Sequence, residues 1–445
     1  MRWTDRNLLT FAAAALVFLY AAGLASAQEA KPSGAEVISL SEAIHRAEQN
    51  EPTFANALAA QKSANIDRYL TKAALLPSVI YHNQMLYTQP NGQTNQGLAA
   101  PIFIANNAVH EYTSQAAISE TVGLKQFADV RIASANAARS SAELEIARRG
   151  LTLAVVNLYY SVSSFEKKQH LLTQALHEAQ SFTEVTQKRE AAREIAHADV
   201  VKAQLLLQQR QRELSDGTLA ADKARLELAV LLFPDPRAPY STEAAGAPPL
   251  LPTRDEVNKL ASTGNPEIRS ALADLQADNA EVTSAKAAYL PDLVLNFNYG
   301  IDAPQFAKHG RPDDIRNLGY SISGTLDIPV WDWFSTQKRV KQSEIRRDVA
   351  KVSLTATQRR LIATLEEAYA EASVARDQLD LLDQSVRTAA ESLRLTNLRY
   401  SAGESTALEV VDAQSAYLSA ETAQADGVVR YQTSLAGLQI LTGTL

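Results

Sequence analysis

A chain of 445 residues without a single cysteine can build no disulfide framework, thiolate metal site or thiol nucleophile, and it offers no cysteine for lipidation. Its formal net charge of −7 argues against a nucleic-acid partner held by phosphate neutralisation. The seven histidines are scattered, His170 and His177 are wrongly spaced for a helical metal pair, and no nucleophile elbow, phosphate loop or His-Glu-x-x-His occurs, so no enzyme machinery or cofactor site is visible.

Residues 1–27 have the order of a secretory signal peptide: Arg2 and Arg6, an apolar stretch from Leu8 to Leu24, then Ala25-Ser26-Ala27 before Gln28. The alternative, a retained anchor, needs an apolar run of about 20 residues, which this stretch does not reach. Removing the leader takes the formal charge from −7 to −8. No later apolar run is long enough for a spanning helix, so the remaining chain can cross a membrane only as a closed β-barrel.

From there the chain is written twice. Residues 28–232 form the first structural repeat and 253–445 the second. The capping-box pattern Ser39-x-x-Glu42 recurs as Thr253-x-x-Glu256. Asn50-Glu51-Pro52 recurs as Asn265-Pro266-Glu267, and Leu76-Pro77 as Leu290-Pro291, an offset of 214. Strands are predicted at about 78–89 and 112–122, with Tyr81, Tyr87 and Tyr112 as candidates for an interfacial aromatic belt. Long helices are predicted at about 125–187, where Gly150 is the one helix breaker, and at about 197–232. Residues 233–252 carry Pro234, Pro236, Pro239, Pro248, Pro249 and Pro252 and read as an extended linker.

In the second copy, strands are predicted at about 292–301 and 318–328. Leu293, Leu295, Phe297, Tyr299 and Ile301 share one face, while Asp292, Asn296 and Asn298 point the other way. Long helices come next, at about 334–398 and 407–443. Here Leu361, Tyr369, Thr396 and Arg399 answer Leu151, Tyr159, Thr186 and Arg189, and Glu409-Val-Val-Asp-Ala-Gln414 answers Asp199-Val-Val-Lys-Ala-Gln204, all at an offset of 210.

A helix over 334–398 is about 90 Å long and needs partners along its whole length. The helices near 266–289 and 407–443 together match it, and Leu354, Leu361, Leu365, Ala368 and Ala372 recur with coiled-coil spacing. An ordinary helical bundle satisfies the same pattern. The strands allow either a small soluble sheet or a membrane barrel. Four strands cannot close a useful barrel, so the second reading requires several chains to share one.

This layout, over residues 36 to 443, resembles the outer-membrane efflux protein (TolC-like) family. The resemblance implies an α+β fold: a duplicated helix–strand–strand–long helical hairpin that gives four β-strands to a shared trimeric transmembrane barrel and long helices to a periplasmic α-helical coiled-coil barrel. It implies a homotrimer in the outer membrane, extending into the periplasm and surrounded by lipid. The trimer would serve as a passive exit duct for efflux or type I secretion. The implied partners are a periplasmic membrane-fusion adaptor and an inner-membrane pump of RND, ABC or MFS type.

The most specific local match is Tyr400-Ser-Ala-Gly403-Glu-Ser-Thr-Ala-Leu-Glu409-Val-Val-Asp412. The family implies an acidic periplasmic gate at Glu409 and Asp412, latched by Tyr400, with adaptor docking at the helical turns of Gly403 and Arg193. By residue type alone Thr406-x-x-Glu409 is equally a capping box, and Gly403 an ordinary turn glycine. The family's latch arginine falls at Ser405, and the turn glycine of the first copy is replaced by Arg193. Trp331-Asp-Trp333-Phe334 reads either as an anchor at the barrel's periplasmic rim or as packing at a strand-to-helix corner. The competing function is a soluble periplasmic coiled-coil adaptor or scaffold protein. Two methionines, one of them Met1, make a methionine-lined copper or silver route a poor fit.

Overall fold

A computed structural model describes residues 36–87, 110–243, 249–303, 306–309 and 316–444. The leader at 1–27 and residues 88 and 89, assigned above to the first strand, lie outside the described residues. The order is β1 (Glu36–Ile38), α1 (Leu40–Asn50), α2 (Pro52–Ala73), β2 (Ser78–Tyr87), β3 (His110–Val122), α3 (Leu124–Ala191) and α4 (His197–Leu232). The second half runs β4 (Tyr240–Thr242), α5 (Arg254–Gly264), α6 (Pro266–Ala287), β5 (Asp292–Ala303), β6 (Leu318–Asp327), α7 (Ser335–Ser401) and α8 (Ala407–Thr442).

The repeated motifs act as element boundaries. Ser39 accepts a hydrogen bond from the Glu42 amide at the start of α1, and Thr253 and Glu256 cap α5 reciprocally. Pro52 and Pro266 open α2 and α6, where a missing N–H removes a donor that has no partner in any case. Leu76-Pro77 and Leu290-Pro291 lie just past the ends of those helices, and β2 and β5 begin directly after the prolines.

Helix α3, with 68 residues, is about 100 Å long. At the sheet end it packs between α2 and α6, with α7 beyond α6; at the far end it lies between α4 and α8, with α7 beyond α8. Each long helix therefore has two shorter ones along its side. The buried stripe of α7, Leu361, Leu365, Ala372, Ala375 and Leu379, keeps the three-and-four spacing of a coiled-coil seam and meets Tyr431, Leu435 and Leu438 of α8. Two notches repeat at the offset of 210: Gly217 in α4 receives Leu172, and Gly427 in α8 receives Leu382. A Cβ on either glycine would collide with the leucine methyl, so each glycine makes room for a side chain of the neighbouring helix.

The segment read as a linker is pinned. Within it, β4 pairs in parallel with β1, and the pair sits over a core that includes Ile38, Val155, Val162, Leu228 and Leu232. The buried Tyr159 hydroxyl donates to the Ile38 carbonyl at 2.8 Å and accepts from the Glu243 amide at 2.9 Å, tying α3 to the start of the first copy and to the segment that follows it.

The other sheet is fully antiparallel, in the order β2-β3-β5-β6, with β2 and β6 on open edges. Register places Leu293, Phe297 and Ile301 opposite Leu326, Ile322 and Leu318, while Asn298, Asn296 and Asp292 face Ser321, Ser323 and Asp327. One face is thus apolar across β5 and β6, and the other polar. The first copy obeys the same division with exceptions: Val79, Tyr81, Met85 and Tyr87 share the apolar face with Ile118 and Tyr112, but Asn83 and Ser114 lie there too. These two satisfy each other, the Ser114 hydroxyl donating to Asn83 Oδ1 at 2.7 Å. A sheet apolar on one side and polar on the other fits lipid outside and water inside.

Among the described residues, three other than glycine adopt left-handed backbone: Arg193 (φ 60°), Trp333 (φ 55°) and Phe334 (φ 63°). Each position carries about 1–2 kcal/mol of strain for an L-residue. Tyr159→Phe should leave the Ile38 carbonyl and the Glu243 amide with only their mutual 3.2 Å hydrogen bond and destabilise the fold by about 0.5–1.5 kcal/mol, read as a lower thermal unfolding midpoint with an unchanged helical spectrum at any temperature well below it.

Candidate functional site

The predicted site residues gather at the ends of the two helical hairpins, farthest from the four-stranded sheet. Helices α3 and α7 run to Ala191 and Ser401, a turn beyond the limits of 187 and 398 read from sequence. They stop where the chain turns left-handed, at Arg193 (φ 60°) and Gly403 (φ 79°). The two turns have the same hydrogen bonds: Glu194 N to Arg189 O at 2.9 Å answers Glu404 N to Arg399 O at 2.8 Å, and Arg193 N to Glu190 O at 2.8 Å answers Gly403 N to Tyr400 O at 3.1 Å. Loss of the glycine in the first copy therefore leaves the backbone turn intact.

Past the turns the two copies differ. In the second copy Thr406 caps α8: Glu409 N donates to Thr406 Oγ1 at 3.3 Å, and the Thr406 amide donates to Glu409 Oε1 at 3.3 Å. The Ser405 hydroxyl donates to Glu409 Oε2 at 2.9 Å, and Arg399 lies 3.4 Å from the same oxygen. The Ser405 hydroxyl, with the Thr406 amide and Arg399, holds the Glu409 carboxyl below its ordinary value of 4.5. In the first copy the cap position is Ala196, which has no side-chain acceptor.

Asp412 is exposed, and among the described residues no hydrogen bond or ion pair engages it. Its counterpart at the offset of 210 is Lys202, which sits 4.0 Å from Asp199, the counterpart of Glu409. The charge at this level is therefore unequal: the first hairpin carries a neutralising pair, the second a partly compensated glutamate and a free aspartate.

Tyr400 is 7% exposed and packs among Ala179, Phe182, Ala203, Leu206, Ala407 and Val410, drawn from α3, α4 and α8. Its ring centre lies 5.4 Å from that of Phe182 and 5.0 Å from the Arg189 guanidinium. Arg189 also donates to the Tyr400 carbonyl at 2.9 Å and to Glu194 at 3.2 Å. Ser405, expected above at the place of a latch arginine, engages Glu409, and a guanidinium reaches Tyr400 from the other hairpin. The Tyr400 hydroxyl is buried without a hydrogen-bond partner among the described residues.

Sequence reasoning missed a second tie deeper in the bundle. Arg210, 4% exposed, reaches Glu213 at 2.6 Å and the Ser415 hydroxyl of α8 at 3.0 Å. Beside it a cavity of about 20 Å³, room for one water, is lined by Glu178, Tyr417 and Glu421. Burial, with the neighbouring Glu421, pushes the Glu178 carboxyl up, against the opposing pull of Arg210 and His177. Arg210 falls opposite Ala420 in the second copy, so the duplication gave no signal for it.

Nothing in this arrangement suggests bond chemistry. Among the described residues no three His, Cys, Asp or Glu side chains gather to hold a metal ion, and no described helix is long and apolar enough to cross a membrane. A duplicated helical hairpin carrying a sheet with an apolar face and two open edges defines the class as a barrel-forming channel component. The profile of the family described as "Outer membrane efflux protein" matches residues 43–232 and 258–444, and the chain belongs to that family.

The chain is 28% identical to the outer membrane protein OprJ of Pseudomonas aeruginosa over 315 residues, which is 69% of this chain and 63% of OprJ. It is 24% identical to the pyoverdine export outer membrane protein OpmQ of the same species, over 90% of this chain and 82% of OpmQ. Among solved structures, the CmeC outer membrane channel of Campylobacter jejuni superposes with a TM-score of 0.78 at 16% identity, covering 94% of this chain and 90% of CmeC. Family membership places the chain in the outer membrane, reaching into the periplasm, as a passive channel and not an enzyme. It is the outer-membrane part of a system that also needs a periplasmic adaptor and an inner-membrane pump, and the soluble-adaptor reading is set aside.

Replacing Arg193 by glycine should relieve the left-handed strain at the first turn and raise stability by about 1 kcal/mol. A lowered or unchanged unfolding midpoint for Arg193→Gly would show that Arg193 makes a compensating contact.

Proposed function

We propose that three identical copies share one barrel and one helical tunnel, and that the hairpin tips form the tunnel's periplasmic gate. The observation that carries this reading is the pair of open edges on a sheet with one apolar face. Backbone groups left unpaired in hydrocarbon cost several kcal/mol each, and β6 of one copy and β2 of the next supply the missing partners. Three four-stranded sheets close a twelve-stranded barrel, wide enough for a water-filled bore. Below the barrel, α7 of one copy meets α2 and α4 of the next, bringing together the exposed Ile345, Val349 and Val352 and the exposed Ile66, Tyr69 and Leu70.

At the mouth, three copies of Asp412 bring their unpaired charge together, while Glu409 both caps α8 and adds to the field. A ring of carboxylates at a narrow opening favours cations and repels itself. Arg189 holds Tyr400, and with it the second hairpin, against the first. The buried, unpartnered Tyr400 hydroxyl is a reserve of free energy released when the tip moves. Docking of the adaptor at the Arg193 and Gly403 turns splays the hairpins, breaks the Arg189 clamp and widens the mouth. The leader at residues 1–27 delivers the chain to the periplasm, and the Pro-rich segment 233–252 joins the two structural repeats. The pump, of RND, ABC or MFS type, sets the cargo; pyoverdine export in the name of OpmQ and type I secretion mark the range within the family.

The native mass of the detergent-extracted protein tests the assembly: three chains are expected, and a monomer that retains its strands would sink the shared barrel. Planar-bilayer recordings test the gate. Asp412→Asn should reduce cation preference without weakening the α8 cap, and Arg189→Ala should raise conductance; if neither quantity moves, the gate lies elsewhere. The depressed Glu409 pKa means that its charge and its cap persist above the ordinary 4.5 and are lost as pH falls through the lowered value. The share of the cation preference that Glu409 supplies should therefore hold from neutral pH down to 4.5 and fade only below it.

A further inference from the structure

The seam between the two hairpins is held by attraction at both ends and not in the middle. Toward the sheet, Lys168 of α3 lies 2.5 Å from Asp426 of α8, and at the tip Arg189 of α3 holds the Tyr400 carbonyl of the second hairpin at 2.9 Å. About midway between Lys168 and Arg189 stands Glu178, which lines the one-water cavity together with Glu421 of α8. Two carboxylates thus meet across a joint that polar attractions close above and below.

The other groups around the cavity are committed. Arg210 of α4 donates to Glu213 of its own helix at 2.6 Å and to the Ser415 hydroxyl of α8 at 3.0 Å. Tyr417 of α8 donates to Glu421 Oε1 at 2.6 Å, and that bond pushes the phenol up to about 12, so it remains a donor at neutral and acidic pH. The amides of Gln174 and Gln414 complete the polar lining, and α7 contributes no charged group to it. His177, next to Glu178 on α3, is exposed and makes no ion pair among the described residues. One buried guanidinium therefore serves three carboxylates from three helices, Glu178, Glu213 and Glu421. Of these, Glu178 alone has no hydrogen bond or ion pair among the described residues.

We propose that Glu178 and Glu421 form a proton-binding site, in which a proton taken up by Glu178 is donated to the free Oε2 of Glu421 and braces the two hairpins together. With the proton bound, a hydrogen bond closes the middle of the seam; without it, two negative charges push α3 and α8 apart. Withdrawal from water, with the charge of Glu421 beside it, holds the Glu178 carboxyl above the ordinary 4.5, against the pull of Arg210 and His177. A carboxyl that titrates higher in the closed seam favours that seam in acid, and the brace is lost as pH rises through the raised value. Glu409 titrates on the other side of 4.5, so the two events are separable.

The proposal rests on the gate reading above, and the test separates the two. The chain has no cysteine, so spin labels at Gln180→Cys on α3 and Ala416→Cys on α8, both exposed positions, report the seam. The labelled chain is co-expressed with excess cysteine-free parent, so that the measured distance lies within one copy. At pH 4.5 the distance distribution should be short and narrow, and toward neutral pH it should lengthen. Glu178→Gln, whose amide donates at every pH, should keep the short form throughout, and Glu421→Gln, which removes the repulsion, should do the same. In planar bilayers the ratio of closed to open channels should rise by up to about tenfold from neutral pH to 4.5 and stay high in Glu178→Gln. A seam that tightens in acid while conductance stays constant keeps the brace and removes the gate. A seam indifferent to pH, or one that responds equally in both glutamine variants, overturns the brace and leaves the gate standing.

Discussion

The peptide group's need for a hydrogen-bond partner governs this molecule. In water an open strand edge is tolerable; in hydrocarbon it is not, and a chain that crosses lipid as strands must end with no edge at all. Four strands with one apolar and one polar face satisfy the second half of that demand, by separating lipid from water, but leave β2 and β6 unpaired. Every level of organisation above the single chain is dictated by those two edges.

The helices answer a different demand. A rod of about 100 Å cannot rely on intrinsic helix propensity and must be packed along its length. The chain meets this by stacking shorter helices end to end beside each long one, with glycines that admit a neighbouring leucine, as at Gly217 and Gly427. Duplication supplies both halves of the wall from one design. The copies then diverge at the tips, where Ala196 is the counterpart of Thr406, Arg193 of Gly403, and Lys202 of Asp412. The first copy keeps the shape of the turn, and the second adds the cap and the uncompensated charge.

Much of this was legible in the sequence because it is carried by periodicity and by residues with few conformational options. Pro77 and Pro291 mark where helices give way to strands, and the alternation after Pro291 predicts the two faces of β5 directly. The alternation of β2 was weak for a reason the register explains: Ile80 and Leu86 lie on the polar face, and Asn83 on the apolar one, where Ser114 satisfies it. Long-range side-chain contacts were not legible. The approach of Arg189 to Tyr400 joins residues 211 apart, and Arg210 with Ser415 joins residues 205 apart. Neither periodicity nor duplication encodes such pairs, because they arise only when α8 settles into the groove between α3 and α4. The pairing of β4 with β1 was hidden by the prolines around it, which signal an extended chain but not what that chain lies against.

The inequality between Lys202 and Asp412 has a consequence for symmetry. With two near-identical tips per chain, three chains present six similar knuckles around the mouth, and an object sensing only their outline meets a hexagon. An approaching ion meets something else, since negative potential belongs to every second knuckle and the ones between are neutralised by lysine. In the proposed trimer the entrance is thus sixfold in outline and threefold in charge, and its field repeats only with each whole chain.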